Sequence, residues 1–219
     1  MPVAGRSPAR AHASRSKRQR GRPVRAATPE QRRARLVQAA ITAIARDGLA
    51  ATSTRSVAAA AGVDPAMLHY AFDSKHALLQ AVMAAIHDEI RSLLSASISD
   101  ARTLPDAVAQ MARGYWAHVL ATPQLQRAQY ELTLHALATP GNADLARLQY
   151  EGYRDTLAAA LAQRLMRPTN AALTTFAGLC VATMDGLILQ HLACNDHAAG
   201  QARLELAIDL LRRQARSLA

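Results

Sequence analysis

Residues 54–75 constrain the fold more than any other part of the chain, because they predict two short helices joined by a tight turn. Thr54 is a candidate N-cap of the first helix, and Gly62 has the backbone freedom that a helix end requires. Asp64 is a favourable N-cap for the second helix, and Pro65 suits its first position, where the missing N–H costs nothing. Two helices in this arrangement form the helix-turn-helix unit that reads DNA.

The second helix of this unit predicts which side chains face DNA. Leu68 and Phe72 lie four residues apart and form its buried stripe. The outward positions of its first turns, from which side chains reach base edges, hold Pro65, Ala66, Met67, His69 and Tyr70. Ala66 and Met67 suit contact with thymine methyl groups, whereas a protonated His69 suits a phosphate.

Two basic side chains flank the unit. Arg55 lies beside Thr54 on the outer edge of the first helix, and arginine is the residue that most often forms a specific pair with guanine. Lys75 lies in the first turn of the next helix, where its ammonium group and the free backbone N–H groups both favour a phosphate. We therefore predict that Thr54, Arg55 and Lys75 contact DNA. The alternative for Arg55 and Lys75 is that they are ordinary solvated surface charges.

Residues 32–83 resemble the N-terminal domain of the tetracycline-repressor (TetR) family of bacterial regulators. Their first helix ends at Gly48, as in the family. Residues 54–63 read TRSVAAAAGV, with one residue fewer before the arginine than the family pattern, and residues 68–75 read LHYAFDSK, where the family has Leu-Tyr-Tyr-x-Phe-x-Ser-Lys. The resemblance is specific over these motifs and only architectural over the rest of the chain.

The chain departs from the family pattern at Ala66, His69 and Ala71, where the family usually has Gly, Tyr, and His or Tyr. The resemblance implies an all-α homodimer that binds near-palindromic operator DNA and carries a second domain for a small molecule. It also implies a bacterial, cytoplasmic and nucleoid-associated location.

Basic residues are concentrated at the N-terminus. The chain has 26 Lys and Arg against 16 Asp and Glu, and residues 1–35 hold eleven of the basic residues with Glu30 as their one acidic residue. Residues 1–27 have almost no large apolar side chains, so we expect a disordered basic arm that binds a polyanion. Within it, Arg20 and Arg22 belong to an RGRP segment similar to an AT-hook, whose arginines lie in a narrow minor groove. The alternative is a basic arm without sequence preference.

No segment alternates as a strand does, so the sequence predicts an all-α fold of about nine helices. Thr28 opens the first helix in a capping box with Gln31, and Ser74 caps the fourth. Breaks at proline and glycine place the last five helices near residues 105–121, 123–138, 142–166, 169–194 and 201–217. Behind the arm we expect a three-helix DNA-binding domain over residues 28–75 and a ligand-binding and dimerisation domain over residues 76–219.

The eighth predicted helix, residues 169–194, is apolar nearly all round, so it must be covered on two sides. Its own domain supplies one cover, and we expect a second copy of the chain to supply the other in a four-helix bundle. The predicted interface consists of Gly186, Leu187, Ile188, Leu204, Ile208 and Leu211. The alternative, a membrane span, is disfavoured by the polar residues distributed through the helix.

Aromatic residues of the second domain collect in the predicted helices five to eight, and with nearby polar side chains they predict a mostly apolar pocket for a small molecule. The predicted lining is Met111, Tyr115, Trp116, His118, Tyr130, Glu131, His135, Tyr150, Tyr153, Phe176, Cys180, Met184, Asp185 and Gln190. Asp185 is the most informative of them, because a carboxylate on an apolar helix needs an arginine or a ligand as its partner. The alternative is an ordinary core.

The sequence offers no support for catalysis. It contains no nucleophile elbow, P-loop, zinc-protease motif or dinucleotide fingerprint, so we expect no catalytic residue and no cofactor. His191, Cys194 and His197 are spaced by three, but the helix is expected to end at Cys194, so we predict no metal site. Cys180 and Cys194 lie about 21 Å apart along one helix, which fits reduced thiols in a cytoplasm.

Together these features predict a ligand-responsive transcriptional regulator, most often a repressor in the family that it resembles, and not an enzyme. Two reading helices would enter successive major grooves, and the ligand would favour a state in which they are wrongly spaced. One alternative is a ligand-blind DNA binder or an activator, in which the pocket is simply core. The other is an all-helical enzyme with an appended DNA-binding module.

Overall fold

The computed structural model describes residues 28–166 and 168–218, and in these ranges the chain contains α-helices and no strand. The helices of the described part are α1 (Pro29–Asp47), α2 (Thr54–Ala61), α3 (Pro65–Ala71), α4 (Lys75–Ser97), α5 (Leu104–Ala121), α6 (Pro123–Ala138), α7 (Ala143–Arg164), α8 (Ala171–Cys194) and α9 (His197–Arg216). The prediction of an all-α fold is therefore confirmed. The predicted basic arm, with Arg20 and Arg22, lies outside the described residues.

Side-chain caps fix the ends of the first helices. Thr28 and Gln31 form the predicted capping box at the start of α1. Asp64 accepts a hydrogen bond from the backbone of α3 and Pro65 occupies the first position of that helix, which confirms both predictions. Gly62 ends α2 in the left-handed conformation, with φ of 66°, where a side chain would be strained. The turn of the helix-turn-helix unit thus depends on local chemistry that is visible in the sequence.

The predicted cap of α2 is wrong by one residue, because Ser53 and not Thr54 is the N-cap. The Ser53 hydroxyl accepts a hydrogen bond from the Ser56 amide, and the Ser53 amide donates in return to the Ser56 hydroxyl. This reciprocal pair satisfies two backbone donors at once, so the helix begins directly after Ser53. Thr54 is then the first helical residue and lies half-buried at the edge of the unit.

One hydrophobic core runs from α1 to α9 and joins the two predicted domains. Helices α1–α3 close around Ile44, Val57 and Leu68. Helix α4 then leads away from this unit, burying Val82 near its start and Leu94 near its end. In the second half of the chain, α5 packs mainly on α9, α8 lies against α7 and α9, and α6 contacts both α7 and α1. The DNA-reading unit is therefore attached through both α4 and α6.

Helix α9 begins at His197 rather than near residue 201, so the predicted break over residues 196–200 is wrong except at Asp196. Asp196 caps the first turn of α9, and Gly200 lies buried inside the helix. A Cβ atom at Gly200 would lie 3.0 Å from His191 Nδ1 and 3.1 Å from Trp116 Cζ2. This glycine therefore permits close packing of α9 on α5 and α8 rather than ending a helix.

Two more glycines bring α4 close to its neighbours. A Cβ atom at Gly114 of α5 would lie 2.3 Å from the Ser97 Oγ, and one at Gly152 of α7 would lie 2.5 Å from the His87 Cε1. At Gly152 the His87 ring could turn away, but at Gly114 the Ser97 Cβ would also lie 2.8 Å from the added atom and cannot move by a rotamer change. The missing side chain at Gly114 therefore permits the close approach of α4 to α5.

The outer face of α8 is a continuous stripe of small and apolar side chains, called the α8 stripe below. Its members alternate in steps of three and four and are Ala172, Thr175, Leu179, Ala182, Gly186, Leu189 and Ala193. By length and composition α8 is apolar enough to cross a membrane, and 33% of its most apolar window is buried in the described residues. A stripe with this spacing is also the pattern of a helix–helix seam.

Candidate functional site

The helix α3 presents its predicted reading face to solvent. Tyr70 has 84% of its surface exposed, and Pro65, Ala66 and His69 are exposed as well. Met67 is half-buried against α1. The opposite face of the helix packs Leu68 and Phe72 into the core. Four of the five predicted side chains therefore lie on the free side of α3, and Met67 is turned toward α1.

The flanking basic residues are also free of intramolecular partners among the described residues. Arg55 and Lys75 are exposed, and none of the ion pairs in residues 28–166 and 168–218 includes them. Lys75 opens α4, directly after Ser74, whose hydroxyl accepts a hydrogen bond from the Ala77 amide. The remaining N–H groups at this helix start suit an anion, as the sequence predicts.

Arg33 has a structural role that the sequence analysis missed. Its guanidinium group donates a 2.7 Å hydrogen bond to the carbonyl of Ala71 and lies 4.2 Å from the ring centre of Phe72. One of the eleven N-terminal basic residues thus fixes the end of α3 to α1. The sequence contains no local signal for this contact, because it joins residues 38 positions apart.

A cavity lies between α4, α5, α6, α7 and α8. The volume of the cavity is about 50 Å³. The space not filled by atoms is about 620 Å³ when the open mouth is included. Its lining is Ile90, Leu94, Met111, Tyr115, Gln126, Gln129, Tyr130, Thr133, Gln149, Tyr150, Tyr153, Leu157, Cys180, Val181, Met184 and Asp185. The cavity as it stands is therefore small, with room for only a few water molecules.

A chain of hydrogen bonds forms one wall of the cavity. The Thr133 hydroxyl lies 2.8 Å from Gln149 Oε1, the Gln149 amide donates to the Tyr153 hydroxyl at 3.1 Å, and that hydroxyl donates to Gln129 Oε1 at 2.9 Å. The Nε2 atom of Gln129 is buried and has no partner among the described residues. A buried donor without a partner is costly, so this wall offers a hydrogen bond to a ligand atom that accepts one.

Asp185 faces the cavity without a basic partner. Its carboxylate lies 3.4 Å from the Tyr130 hydroxyl, and that hydroxyl lies 3.2 Å from the Asp185 carbonyl oxygen. No Lys, Arg or His forms an ion pair with it in the described ranges. Burial raises the pKa of the Asp185 carboxyl, while hydrogen bonds from Tyr150 and Tyr130 lower it in part.

The phenol and thiol groups around Asp185 are neutral. Burial and the nearby Asp185 together raise the pKa of Tyr150 to about 12. Burial likewise raises the pKa values of Tyr115, Tyr130 and Tyr153, and it raises the pKa of the Cys180 thiol to about 12. Asp185 is therefore the one carboxyl group among the neutral phenol and thiol groups of the cavity.

Eight of the predicted lining residues contact the cavity: Met111, Tyr115, Tyr130, Tyr150, Tyr153, Cys180, Met184 and Asp185. Six lie elsewhere: Trp116, His118, Glu131, His135, Phe176 and Gln190. Trp116 packs on His191 in the core between α5, α8 and α9, and Phe176 is buried in the main core. Gln190 is exposed on the outside of α8. Trp116 does not line the cavity with Tyr115, because its ring packs on His191 instead.

Glu131 connects the cavity helix to the DNA-reading unit. Its carboxylate accepts a 2.6 Å hydrogen bond from the backbone N–H of Leu49, in the loop after α1. A Cβ atom at Gly48 would lie 3.2 Å from the same carboxylate, so the loop approaches α6 closely. Tyr130, the preceding residue on α6, lines the cavity. One rigid helix therefore touches both the cavity and the loop that leads to α2.

The sequence analysis missed the amide groups of the cavity, Gln126, Gln129 and Gln149. Each is buried, and burial of three glutamines in one domain is uncommon for this residue type. Their spacing contained a signal, since Gln126, Gln129 and Thr133 share one face of α6 with Tyr130. No group of three or more metal-binding side chains occurs among the described residues.

The predicted dimer residues are mostly buried within a single chain. Leu187, Ile188, Leu204 and Ile208 lie in the core between α5, α8 and α9, and Leu211 lies in the main core. Only Gly186 belongs to the α8 stripe, and a Cβ atom there would meet nothing within 4 Å. The exposed apolar side chains of the two helices are instead Leu179, Leu189, Leu206 and Leu210. The buried leucines and isoleucines of α8 and α9 are covered because α5 packs on α9. The sequence does not specify this packing.

Comparison with known proteins connects both halves of the chain to one family. Residues 36–82 match the model of bacterial regulatory proteins of the tetR family, and residues 99–216 match that of the tetracyclin repressor-like C-terminal domain. The chain is 31% identical to the HTH-type nicotine-responsive transcriptional repressor HdnoR of Paenarthrobacter nicotinovorans, over 74% of this chain and 84% of the relative. It is 26% identical to the HTH-type transcriptional regulator BetI of Brucella canis, over 82% of this chain and 89% of the relative.

Solved structures agree with these matches. The multidrug binding protein EbrR complexed with ethidium is 28% identical, with a TM-score of 0.62 over 82% of this chain and 98% of that one. A TetR-family regulator from Streptomyces coelicolor is 26% identical, with a TM-score of 0.64. The relatives are transcriptional regulators and not enzymes, and the C-terminal match alone covers more than half of this chain. The chain belongs to the TetR family and is a ligand-responsive, DNA-binding transcriptional regulator.

Proposed function

We propose that the chain is a homodimeric repressor that binds a near-palindromic operator and is released when a small molecule enters the cavity of α4–α8. The observation that carries this proposal is the attachment of the cavity to the DNA-reading unit through both α4 and α6. A ligand that binds one spacing of the two reading helices better than another shifts the protein toward that spacing. The protein is proposed to act in the bacterial cytoplasm, at the nucleoid.

The α8 stripe and the exposed leucines of α9 support the dimer. Leu179 and Leu189 of α8, and Leu206 and Leu210 of α9, each have about half or more of their surface exposed. A symmetric four-helix contact of α8 and α9 with their copies would cover all of them. Gly186 lies in the middle of the stripe with open space beside it, which permits close approach of a second helix. We therefore assign the interface to these residues rather than to the buried leucines and isoleucines.

The small cavity suits a ligand that displaces the surrounding side chains when it binds. Its free space is small, but Met111 and Met184 are flexible and adapt to an irregular occupant. One relative is named for its response to nicotine and another was solved with ethidium. By analogy with them we propose a mostly apolar, ring-containing effector for this chain. Such an occupant would displace Tyr130, and with it the α6 helix that holds Leu49.

Selection of operator DNA by the purified protein tests the proposed function. Random duplexes recovered by the full chain should contain two inverted half-sites about 34–36 Å apart or slightly more. Recovery of single, unpaired sites would contradict the dimeric reader. Ligands that raise the melting temperature should also release this DNA. If they fill the cavity and leave operator affinity unchanged, the protein is a ligand-blind binder.

Substitutions on the reading face should separate sequence reading from general affinity. Arg55→Ala and Tyr70→Ala should each weaken operator binding by about 1–3 kcal/mol, because both side chains are exposed beside the proposed groove. Lys75→Ala should weaken binding to operator and unrelated DNA by similar factors, since a phosphate contact carries no sequence information. Gel-shift titrations on both DNAs measure this. Unchanged operator affinity in both Arg55→Ala and Tyr70→Ala would overturn the assignment.

Deletion of residues 1–27 should lower affinity for DNA and flatten its dependence on salt. The segment carries eight basic residues, and each phosphate that they neutralise adds roughly 0.9 to the slope of log affinity against log salt. The comparison is a salt series of fluorescence-anisotropy titrations on the full and shortened chains. Equal slopes would show that the arm, with Arg20 and Arg22, does not contact DNA.

A further inference from the structure

The charge balance of the cavity limits what it can hold. Among its sixteen lining residues there is one acidic side chain, Asp185, and no Lys, Arg or His. The tyrosine and cysteine groups remain neutral because burial raises their pKa values. An anionic ligand would therefore enter an apolar space that holds a carboxyl group and no cationic side chain. A neutral ligand would leave the carboxylate with its incomplete set of partners.

The arginines of the adjoining groove already have acidic partners. Arg147 and Arg154 lie in the groove between α7 and α8, which shares Tyr150 and Asp185 with the cavity. Arg147 pairs with Asp144 and Glu151, and Arg154 pairs with Asp155. Asp185 itself receives only hydroxyl groups. Its carboxylate thus retains free lone pairs toward the cavity.

Aromatic rings surround the same point. Tyr115, Tyr130, Tyr150 and Tyr153 come from three helices and all line the cavity with Asp185. Tyr150 and Tyr153 pack edge to face, with ring centres 6.1 Å apart. Ring faces attract a cation by their quadrupole, and the attraction is larger where the cation has lost water. A carboxylate within a group of tyrosines is therefore a site for a positively charged organic group.

We propose that the effector of this protein is an organic cation, an amine or a quaternary ammonium compound, whose charged nitrogen lies between Asp185 and the tyrosines of the cavity. This inference rests on the proposed function, since it names the chemical class of the effector. The apolar remainder of the molecule extends along Met111, Leu157 and Met184. A hydrogen-bond acceptor on that remainder would use the unpaired Nε2 of Gln129.

A matched pair of probes tests the charge. N-methylquinolinium and quinoline have almost the same shape, and at mildly alkaline pH only the first is charged. Calorimetric titration of the full chain should give saturable binding of N-methylquinolinium that is at least about tenfold tighter than that of quinoline. Asp185→Asn should remove this preference by weakening the cation alone. Asp155→Asn, which removes an exposed carboxylate from α7, should retain it.

Folding of the variant is checked in the same experiment. Because burial disfavours the ionised carboxyl, Asp185→Asn should melt at the same or a higher temperature than the wild type without ligand. A second variant, Tyr150→Leu, removes a ring at the mouth of the cavity and should also weaken the cation more than quinoline. A marked fall in the melting temperature of Asp185→Asn would show a structural role for the carboxylate and overturn the proposal.

The outcomes separate this inference from the proposed function. If quinoline binds as tightly as N-methylquinolinium and releases operator DNA, the cavity is the effector site but the preference for a cation is wrong. If the cation binds Asp185→Asn and wild type equally, Asp185 is not the counter-ion. If neither probe binds while operator binding is intact, both the cation site and the effector cavity are contradicted.

Discussion

Replacing Leu189 by Glu should convert the protein into a monomer and reduce operator affinity by about 10²- to 10⁴-fold. Leu189 is 50% exposed in the middle of the α8 stripe, so the single chain should fold without it. In a symmetric dimer the same substitution places one carboxylate from each chain in a desolvated helix–helix contact, which is costly for both. The loss of affinity follows because a monomer binds one half-site without the effective concentration that a linked second reader provides.

Sedimentation velocity and gel-shift titration at matched concentrations measure the two effects. Leu148→Glu is the control, because Leu148 has nearly the same exposure, 51%, but lies on α7 away from the stripe. That variant should remain a dimer and bind operator normally. A wild-type chain that sediments as a monomer at micromolar concentration, or a Leu189→Glu variant that remains a dimer, would remove the basis for the proposed interface.

Alanine at Gly114 should lower the free energy of unfolding by about 2 kcal/mol, although alanine favours helices. The added Cβ would lie 2.3 Å from Ser97 Oγ and 2.8 Å from Ser97 Cβ, so α4 and α5 would have to separate. Overpacking of this kind exceeds the gain of about 1 kcal/mol that alanine brings to a helix interior. For a chain of this size we expect the melting temperature to fall by about 4–8 °C.

Gly178→Ala is the matched control for this substitution. Gly178 also lies inside a helix, but its Cβ would be 3.8 Å from Arg154 Cδ, an ordinary contact. Its free energy of unfolding should therefore rise by up to about 1 kcal/mol. Thermal unfolding of both variants at one protein concentration gives the comparison, since the concentration affects the melting of a dimer. Shifts of the same sign would show that helix propensity, and not the close approach of α4 to α5, determines the outcome.

The elements that the sequence predicted well are those with local causes. The box of Thr28 and Gln31, the turn at Gly62, and Asp64 with Pro65 each depend on residues within one helical turn of one another. Gly200 shows where such local reasoning fails. A side chain at Gly200 would collide with Trp116, which lies far away in the chain. A glycine that resembles a helix break therefore lies inside α9.

The cavity could be predicted only in part, because its lining depends on how each helix is rotated toward its neighbours. Tyr130 and Glu131 are adjacent in the sequence, yet one lines the cavity and the other binds the backbone of Leu49. An aromatic cluster in the sequence indicates that a pocket is present. It does not tell which side of α5 or α6 faces it, and for that reason Trp116 was included and Gln129 was missed.

The same limit applies to the outer face of the second domain. The composition of α8 shows that two of its faces must be buried. It does not show which apolar residues are buried within the chain and which against a second chain. Leu187 and Ile188 are the obvious candidates by size, and they pack inside the chain. The α8 stripe is less conspicuous because alanine and glycine make up much of it. Small residues permit close approach between helices, so their periodic spacing was the better signal.

The hydrogen bond between Glu131 and Leu49 has a consequence for how far a signal must travel. Tyr130 and Glu131 are neighbours on a stiff helix, so any shift of α6 that makes room in the cavity changes the 2.6 Å distance to the Leu49 nitrogen by a similar amount. Along α6, the cavity and the Leu49 loop of the reading unit are therefore separated by only the width of one helix. Occupancy of the cavity and the orientation of the reading unit would then both depend on the position of α6.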